Sequence, residues 1–326
     1  MRGIRLLLGA ALLASCVTGA CDSPPGDPRL EGTDAIGSDS GREEGAAVEV
    51  AGGDDACPEG YVVVLPGAFL MGSPEDEPGR SPNETLHEVT LTQAFCLKAT
   101  EVSLAEWAAL MGNSPSLYSA CGSACPVEYV TWWDAVAYCN RLSEQEGLSQ
   151  CYTLAGCSGI PGNPGYACTG VMFTGLSCSG YRLPTEAEWE FAARGGTAGG
   201  TYNGTSSLLS CEEPNDVLDP IACFCGNCYD GVDRYSALPV GTLRANPLDL
   251  YDMIGNVWEW VWDWYGIPST DSATDPLGPA TGSGRVRKGG SWMGGATDAR
   301  SARRDARGSM RHDEDLGFRP ARSIVP

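Results

Sequence analysis

Residues 88–92 (EVTLT) alternate polar and apolar positions, the two-residue period of a strand with one buried face. Two short apolar runs, Val62-Val63-Val64-Leu65 and Phe69-Leu70-Met71, flank Pro66-Gly67 and predict a β-hairpin. Farther along, the spacing turns helical, and a capping box announces each of three helices. Ser103 precedes Glu106 at the head of LAEWAALMG, Thr131 precedes Asp134 before AVAYCNRLSEQ, and Thr185 precedes Glu188 before WEFAARGG. In each, the hydroxyl accepts from the third helical amide while the carboxylate reaches back to the cap's own N–H. Gly112 and Gly195 supply C-terminal stops, and Pro184 marks a tight entry to the third helix.

Tryptophan then recurs at every second position from 258 to 264. On a strand this sets four indoles on one face and Val257, Glu259, Val261 and Asp263 on the other, so the indoles read as a buried aromatic wall. Asn256 and Glu259 carry the hard oxygen atoms that Ca²⁺ selects, although Asn-Val-Trp-Glu also reads as a turn with satisfied hydrogen bonds. Between the helices, residues 151–180 and 196–248 are rich in Gly, Pro and Cys without periodicity. So much irregular chain needs disulfides, bound ions or both.

The chain has fifteen cysteines among 326 residues. Together with the acidic composition they point to an oxidising compartment. Cys121 and Cys125 lie within one turn (CGSAC) and can pair if the backbone bends; Cys139, Cys151, Cys157, Cys168 and Cys178 are further candidates. The C-x-C-x-x-C run Cys223, Cys225, Cys228 matches thiolate metal spacing, but with no histidine nearby it reads as disulfides. Residues 1–20 look like a signal peptide: Arg2 and Arg5 precede the short apolar run LLLGAALLA, too short to span a bilayer as a mature helix. The following Leu13-Ala14-Ser15-Cys16 resembles the lipobox of bacterial lipoproteins. Cys16 is therefore the expected lipidation site, with Cys21 as the alternative, and a lipid anchor the only expected contact with a membrane.

Charge divides the chain further. The formal net charge is −21. Residues 22–55 hold ten acidic and two basic side chains amid Pro, Gly and Ser, the composition of a solvated tether. Residues 285–326 hold ten basic and five acidic side chains, whereas residues 56–284 sum to −20. Pairing of these opposite charges within one fold is expected; the alternative is a cationic groove for an anionic ligand. The overall charge repels phosphate backbones, so nucleic-acid binding is not expected. Two histidines, His87 and His312, cannot build a multi-histidine metal site, and both read as surface residues.

Seven segments, taken in order, give the chain a resemblance to the formylglycine-generating enzyme, or sulfatase-modifying factor, domain family. They are LPGAFLMGS at 65–73, ATEVS at 99–103, PVEYVTW at 126–132, YRLPTEAEWEFAARG at 181–195, LYDMIGNVWEW at 250–260, KGGSW at 288–292 and LGFR at 316–319. The resemblance implies one α+β domain over residues 57–326, of complex C-type-lectin-related topology with much irregular structure. It also implies bound calcium, held by the side chains of Asn256 and Glu259 and by backbone oxygens around Val257 and Val261. The family's enzyme oxidises a sulfatase cysteine to formylglycine with two copper-binding cysteines just after the Gly-Gly-Ser-aromatic segment. Here those positions are Gly294 and Ala299, and no cysteine follows Cys228. Gly and Ala cannot replace the thiolates that hold Cu(I), so copper is not expected. The expectation is a non-catalytic envelope or secreted protein that binds a protein or small-molecule ligand near Ser291, Trp292 and Arg319. The alternative is a formylglycine-generating oxidoreductase whose copper ligands lie elsewhere in the chain.

Overall fold

The computed structural model describes residues 57–118, 120–207, 210, 211, 215–228 and 236–325. The expected signal peptide, the tether and the lipidation sites Cys16 and Cys21 lie outside the described residues. Strands β1 (Tyr61–Val64), β2 (Gly67–Met71), β3 (His87–Leu91) and β4 (Phe95–Lys98) lead to helices α1 (Leu104–Met111) and α2 (Trp132–Gln145). Strands β5 (Tyr152–Ala155), β6 (Gly170–Phe173) and β7 (Tyr181–Arg182) precede helix α3 (Glu186–Arg194). The remaining strands are β8 (Ala222–Cys223), β9 (Ile254–Gly255), β10 (Trp258–Trp264), β11 (Ala273–Thr274), β12 (Arg285–Lys288), β13 (Arg304–Arg307), β14 (Leu316–Phe318) and β15 (Ala321–Ser323). The class is α+β: three short helices on small, mostly antiparallel sheets joined by long irregular segments.

All three capping boxes form with both reciprocal hydrogen bonds, and Gly112 and Gly195 end their helices in the left-handed region. The expected hairpin does not form. β1 pairs with β4 in the sheet β1-β4-β15-β7, whereas β2 pairs with β3 in the sheet β11-β3-β2. A two-residue hairpin loop needs positive φ at one or both of its residues, and the loop here is Leu65-Pro66, with proline locked near −65°. The chain therefore crosses between sheets instead of folding back.

β10 lies at the centre of the sheet β13-β12-β10-β14 and separates two cores. Trp258 and Trp260 enter the core formed with α1, α2 and β14, and Trp262 packs against it. Val261, from the opposite face, enters the core formed with α3 and β1–β4. The alternation expected of this strand is thus realised, and it continues at Asp263, which accepts the amide of Glu186 at 2.7 Å. Six disulfides tie the irregular segments: Cys57–Cys96, Cys121–Cys125, Cys151–Cys178, Cys157–Cys168, Cys211–Cys225 and Cys223–Cys228. They place the folded body in an extracytoplasmic, oxidising setting. Among the described residues Cys139 alone is free; it is buried in α2, where burial pushes its thiol up.

Much of the basic C-terminal segment is paired internally. Arg300 holds Glu77 and Glu84, Arg304 holds Glu186, and Lys288 holds Glu190, all at 3.0 Å or less. His87 departs from its expected surface place: it is buried, with Nδ1 2.8 Å from the carbonyl of Thr85.

Candidate functional site

The candidate site forms where β10, β12 and β14 end beside the segment that leads into α2. After β12, Gly289 and Gly290 take φ of 96° and 79°. A Cβ on Gly290 would stand 2.6 Å from the carbonyl oxygen of Asp298, so only glycine fits this turn. The turn delivers Ser291, whose hydroxyl donates to Asp315 Oδ2 at 2.6 Å; both residues are buried. The Asp315 carbonyl accepts the amide of Trp258 at 2.7 Å, which ties β14 to the first indole of β10. Arg287, from β12, lies over that indole at 4.5 Å from its centre. Its Nε and Nη2 donate to Asp305 at 3.0 and 2.8 Å. Nη1 is buried and makes no hydrogen bond, standing 3.6 and 3.8 Å from Asp313 and Asp315.

Trp292 donates its backbone N–H to the Asn256 carbonyl at 2.8 Å and packs with the Cys223–Cys228 disulfide. Its indole N–H is buried without a partner, and Tyr118 meets the ring edge-on at 5.7 Å. The amide of Tyr118 donates to Glu128 Oε1 at 2.7 Å, while Glu128 Oε2 is buried and unpaired. Burial pushes the Glu128 carboxyl up to about 7, against the pull of the Tyr118 and Leu117 amides. Tyr129 sits at φ 63°, a costly backbone state for an aromatic residue, and its amide donates to the carbonyl of Asp313 at 3.1 Å. One face thus carries two unsatisfied donors, Arg287 Nη1 and Trp292 Nε1, and one unsatisfied acceptor, Glu128 Oε2. Such groups cost free energy when buried unpaired.

The positions expected to lack copper ligands lie in the same segment. Gly294 donates to the Ser291 carbonyl at 2.9 Å and accepts from the Cys225 amide at 3.0 Å. Ala299 is buried among Leu218, Ile221, Phe224 and Ile254. The C-x-C-x-x-C run therefore folds against this segment, yet its sulfurs are in disulfides with each other and with Cys211.

Of the residues expected at a ligand site, Ser291 and Trp292 come together and Arg319 does not. Arg319 is fully buried, and all five of its N–H groups are used: by Glu259 and by the carbonyls of Lys98, Ala99 and Tyr251. The expected calcium ligands are likewise engaged within the protein. Both Glu259 oxygens accept from Arg319, at 2.7 and 2.8 Å, and one also accepts from the Trp189 indole. Asn256 bonds the Leu238 amide and Glu101, and the Val261 carbonyl accepts from the Trp132 indole. Arg319 is set against Glu259 and also against the buried acids Glu101 and Asp252, whose carboxyls burial and mutual repulsion push up.

Glu128, Tyr118, Arg287 and Asp315 were not singled out by the sequence. Glu128 lies within the PVEYVTW segment, and Asp315 directly precedes LGFR. Nothing local marks either as buried beside Ser291.

Comparison with known proteins places this geometry. The chain is 34% identical over 228 residues to the chaperone protein LppX of Paenibacillus barcinonensis, covering 65% of this chain and 73% of that one. It is 30% identical to the formylglycine-generating enzyme of Streptomyces coelicolor, covering 80% of this chain and 88% of the enzyme. Among solved structures, Treponema denticola variable protein 1 superposes with a TM-score of 0.66 at 30% identity, over 80% of this chain and 94% of that one. Residues 49–324 match the sulfatase-modifying factor enzyme 1-like domain, and this chain belongs to that family.

Proposed function

We propose that this protein is an extracytoplasmic binding protein, anchored through Cys16, that holds a protein or small-molecule ligand on the face around Ser291 and Trp292. The observation that carries this reading is the pair Gly294 and Ala299, with neighbouring sulfurs locked in disulfides. A copper oxidase needs two thiolates there, and this segment offers backbone and a methyl group. The unsatisfied Arg287, Trp292 and Glu128 atoms favour a ligand with both donors and acceptors, such as a peptide backbone. The similarity to a protein named as a chaperone supports the same choice. The test incubates the purified protein, with copper and O₂, with a cysteine-containing sulfatase peptide, and reads mass and binding together. Saturable binding of a peptide without mass change, weakened about tenfold in Trp292→Ala, is the expected result. Formylglycine formed over many turnovers overturns the reading.

A further inference from the structure

A second cleft, of 340 Å³, opens between the start of α3, the β2–β3 pair and the loop at 266–279. Its walls are apolar: Met71, Ala187, Leu277 and, at the rim, Ile267, which is 77% exposed. Four polar side chains, each more than nine-tenths buried, also line it: Glu186 and Arg304, which bind each other, and His87 and Asp263. His87 Nδ1 is held by the Thr85 carbonyl, which can only accept, so in the neutral ring Nδ1 carries the proton and Nε2 presents a lone pair. No hydrogen bond reaches Nε2. Asp263 uses Oδ2 to accept the Glu186 amide, and its Oδ1 has no hydrogen-bond partner. Oδ1 faces Gly278, another lining residue, where a Cβ would come within 2.8 Å of it. The missing side chain keeps the approach to that oxygen open.

Donors are scarce in this cleft. Pro268, Pro276 and Pro279 line it and have no N–H. The Arg304 guanidinium is spent on both oxygens of Glu186 and on the carbonyls of Asn83 and Gly266. The Ser269 hydroxyl is spent on Asp271. With Arg304 neutralised by Glu186, Asp271 leaves the cleft net negative; burial, with Glu186 beside it, pushes the Asp263 carboxyl up to about 8, so a cation that reaches Oδ1 displaces its proton. An apolar pocket that ends on unpaired acceptors and excess negative charge selects a cationic donor with an apolar stem.

We infer that the cleft binds a primary alkylammonium group, its N–H groups donating to Asp263 Oδ1 and His87 Nε2 and its methylenes lying against Met71, Ala187 and Leu277. Free amines and lysine side chains share this chemistry. Calorimetry on the full chain with n-butylammonium, n-butanol, butyrate and N-acetyl-lysine methylamide separates the cases. Butylammonium is expected to bind about tenfold or more tighter than butanol, with butyrate weakest. Asp263→Asn should weaken butylammonium by about the same factor. Ile267→Ser changes an exposed rim residue that the fold does not need, and should weaken it about two- to threefold through lost apolar contact. Binding of butylammonium alone assigns the cleft to small amines, and binding of the lysine amide as well extends it to lysine side chains. Butanol binding as tightly as butylammonium, binding of neither amine, or an unchanged affinity in Ile267→Ser and a folded Asp263→Asn overturns the inference.

Discussion

Glu128 and Glu259 are both buried glutamates, and their surroundings treat them oppositely. Glu259 faces a guanidinium that uses both its oxygens. Glu128 has backbone amides on one oxygen and nothing on the other, and its carboxyl is pushed up to about 7 from an ordinary 4.5. The native state therefore keeps a proton between those values that the unfolded chain has lost. The resulting stability is complete below about pH 4.5 and disappears as pH rises through 7, an effect on the order of 3 kcal/mol. Glu128→Gln removes this titration, so urea unfolding across about pH 5 to 8 should show the variant gaining on the wild type as pH rises. Parallel profiles would contradict the burial argument. Sequence spacing put Glu259 on the non-indole face of its strand correctly. It could not supply the partner: Arg319 lies 60 residues away, and only the parallel pairing of β14 with β10 brings it near. Local oxygens alone therefore do not describe the surroundings of Glu259.

At the level of elements, what local chemistry dictates was legible and what depends on a distant partner was not. Capping boxes, glycine stops and the alternating indoles involve neighbours within a few positions, and each appears as expected. Apolar runs around Pro-Gly place two strands but do not set their partners, which are β4 and β3 and not each other. The caps are energetically distinct. Ser103 and Thr131 are both buried, and each hydroxyl accepts the third helical amide, at 3.3 and 3.1 Å, and donates to that residue's carboxylate, at 2.8 and 2.6 Å; the Asp134 carboxylate is buried, whereas that of Glu106 is exposed. Ser103→Ala should cost about 1 kcal/mol, the ordinary value of a cap. Thr131→Ala should cost about 2 kcal/mol or more, because it also strips a hydrogen bond from a buried carboxylate. Chemical denaturation of the two variants tests this ordering; equal losses would mean that burial adds nothing to the cap.

Over the whole molecule, the cysteine count was informative about compartment, and the pairing emerged only from the fold. The bridges differ in the length of chain they close: Cys57–Cys96 spans 39 residues, Cys151–Cys178 spans 27 and Cys121–Cys125 only 4. In the chain-entropy account, closing the longest loop restricts the unfolded ensemble by about 4 kcal/mol and closing the shortest by about 2 kcal/mol. On chain entropy alone, serine pairs at each bridge would destabilise in the order of loop length, read as urea midpoints at constant m-value. Cys151–Cys178 carries an additional contribution, since both its residues are buried in the α2 core, where Cys151 accepts the Thr174 amide at 3.0 Å. Its loss should match or exceed that of the Cys57–Cys96 pair despite the shorter loop. A Cys121–Cys125 pair that proved as costly as either would show that strain or packing, not chain entropy, sets the scale. Of the three, the 121–125 bridge closes the segment just before Glu128. Its serine pair should therefore alter ligand binding at the Ser291–Trp292 face more than it alters stability, and the other two pairs should do the reverse.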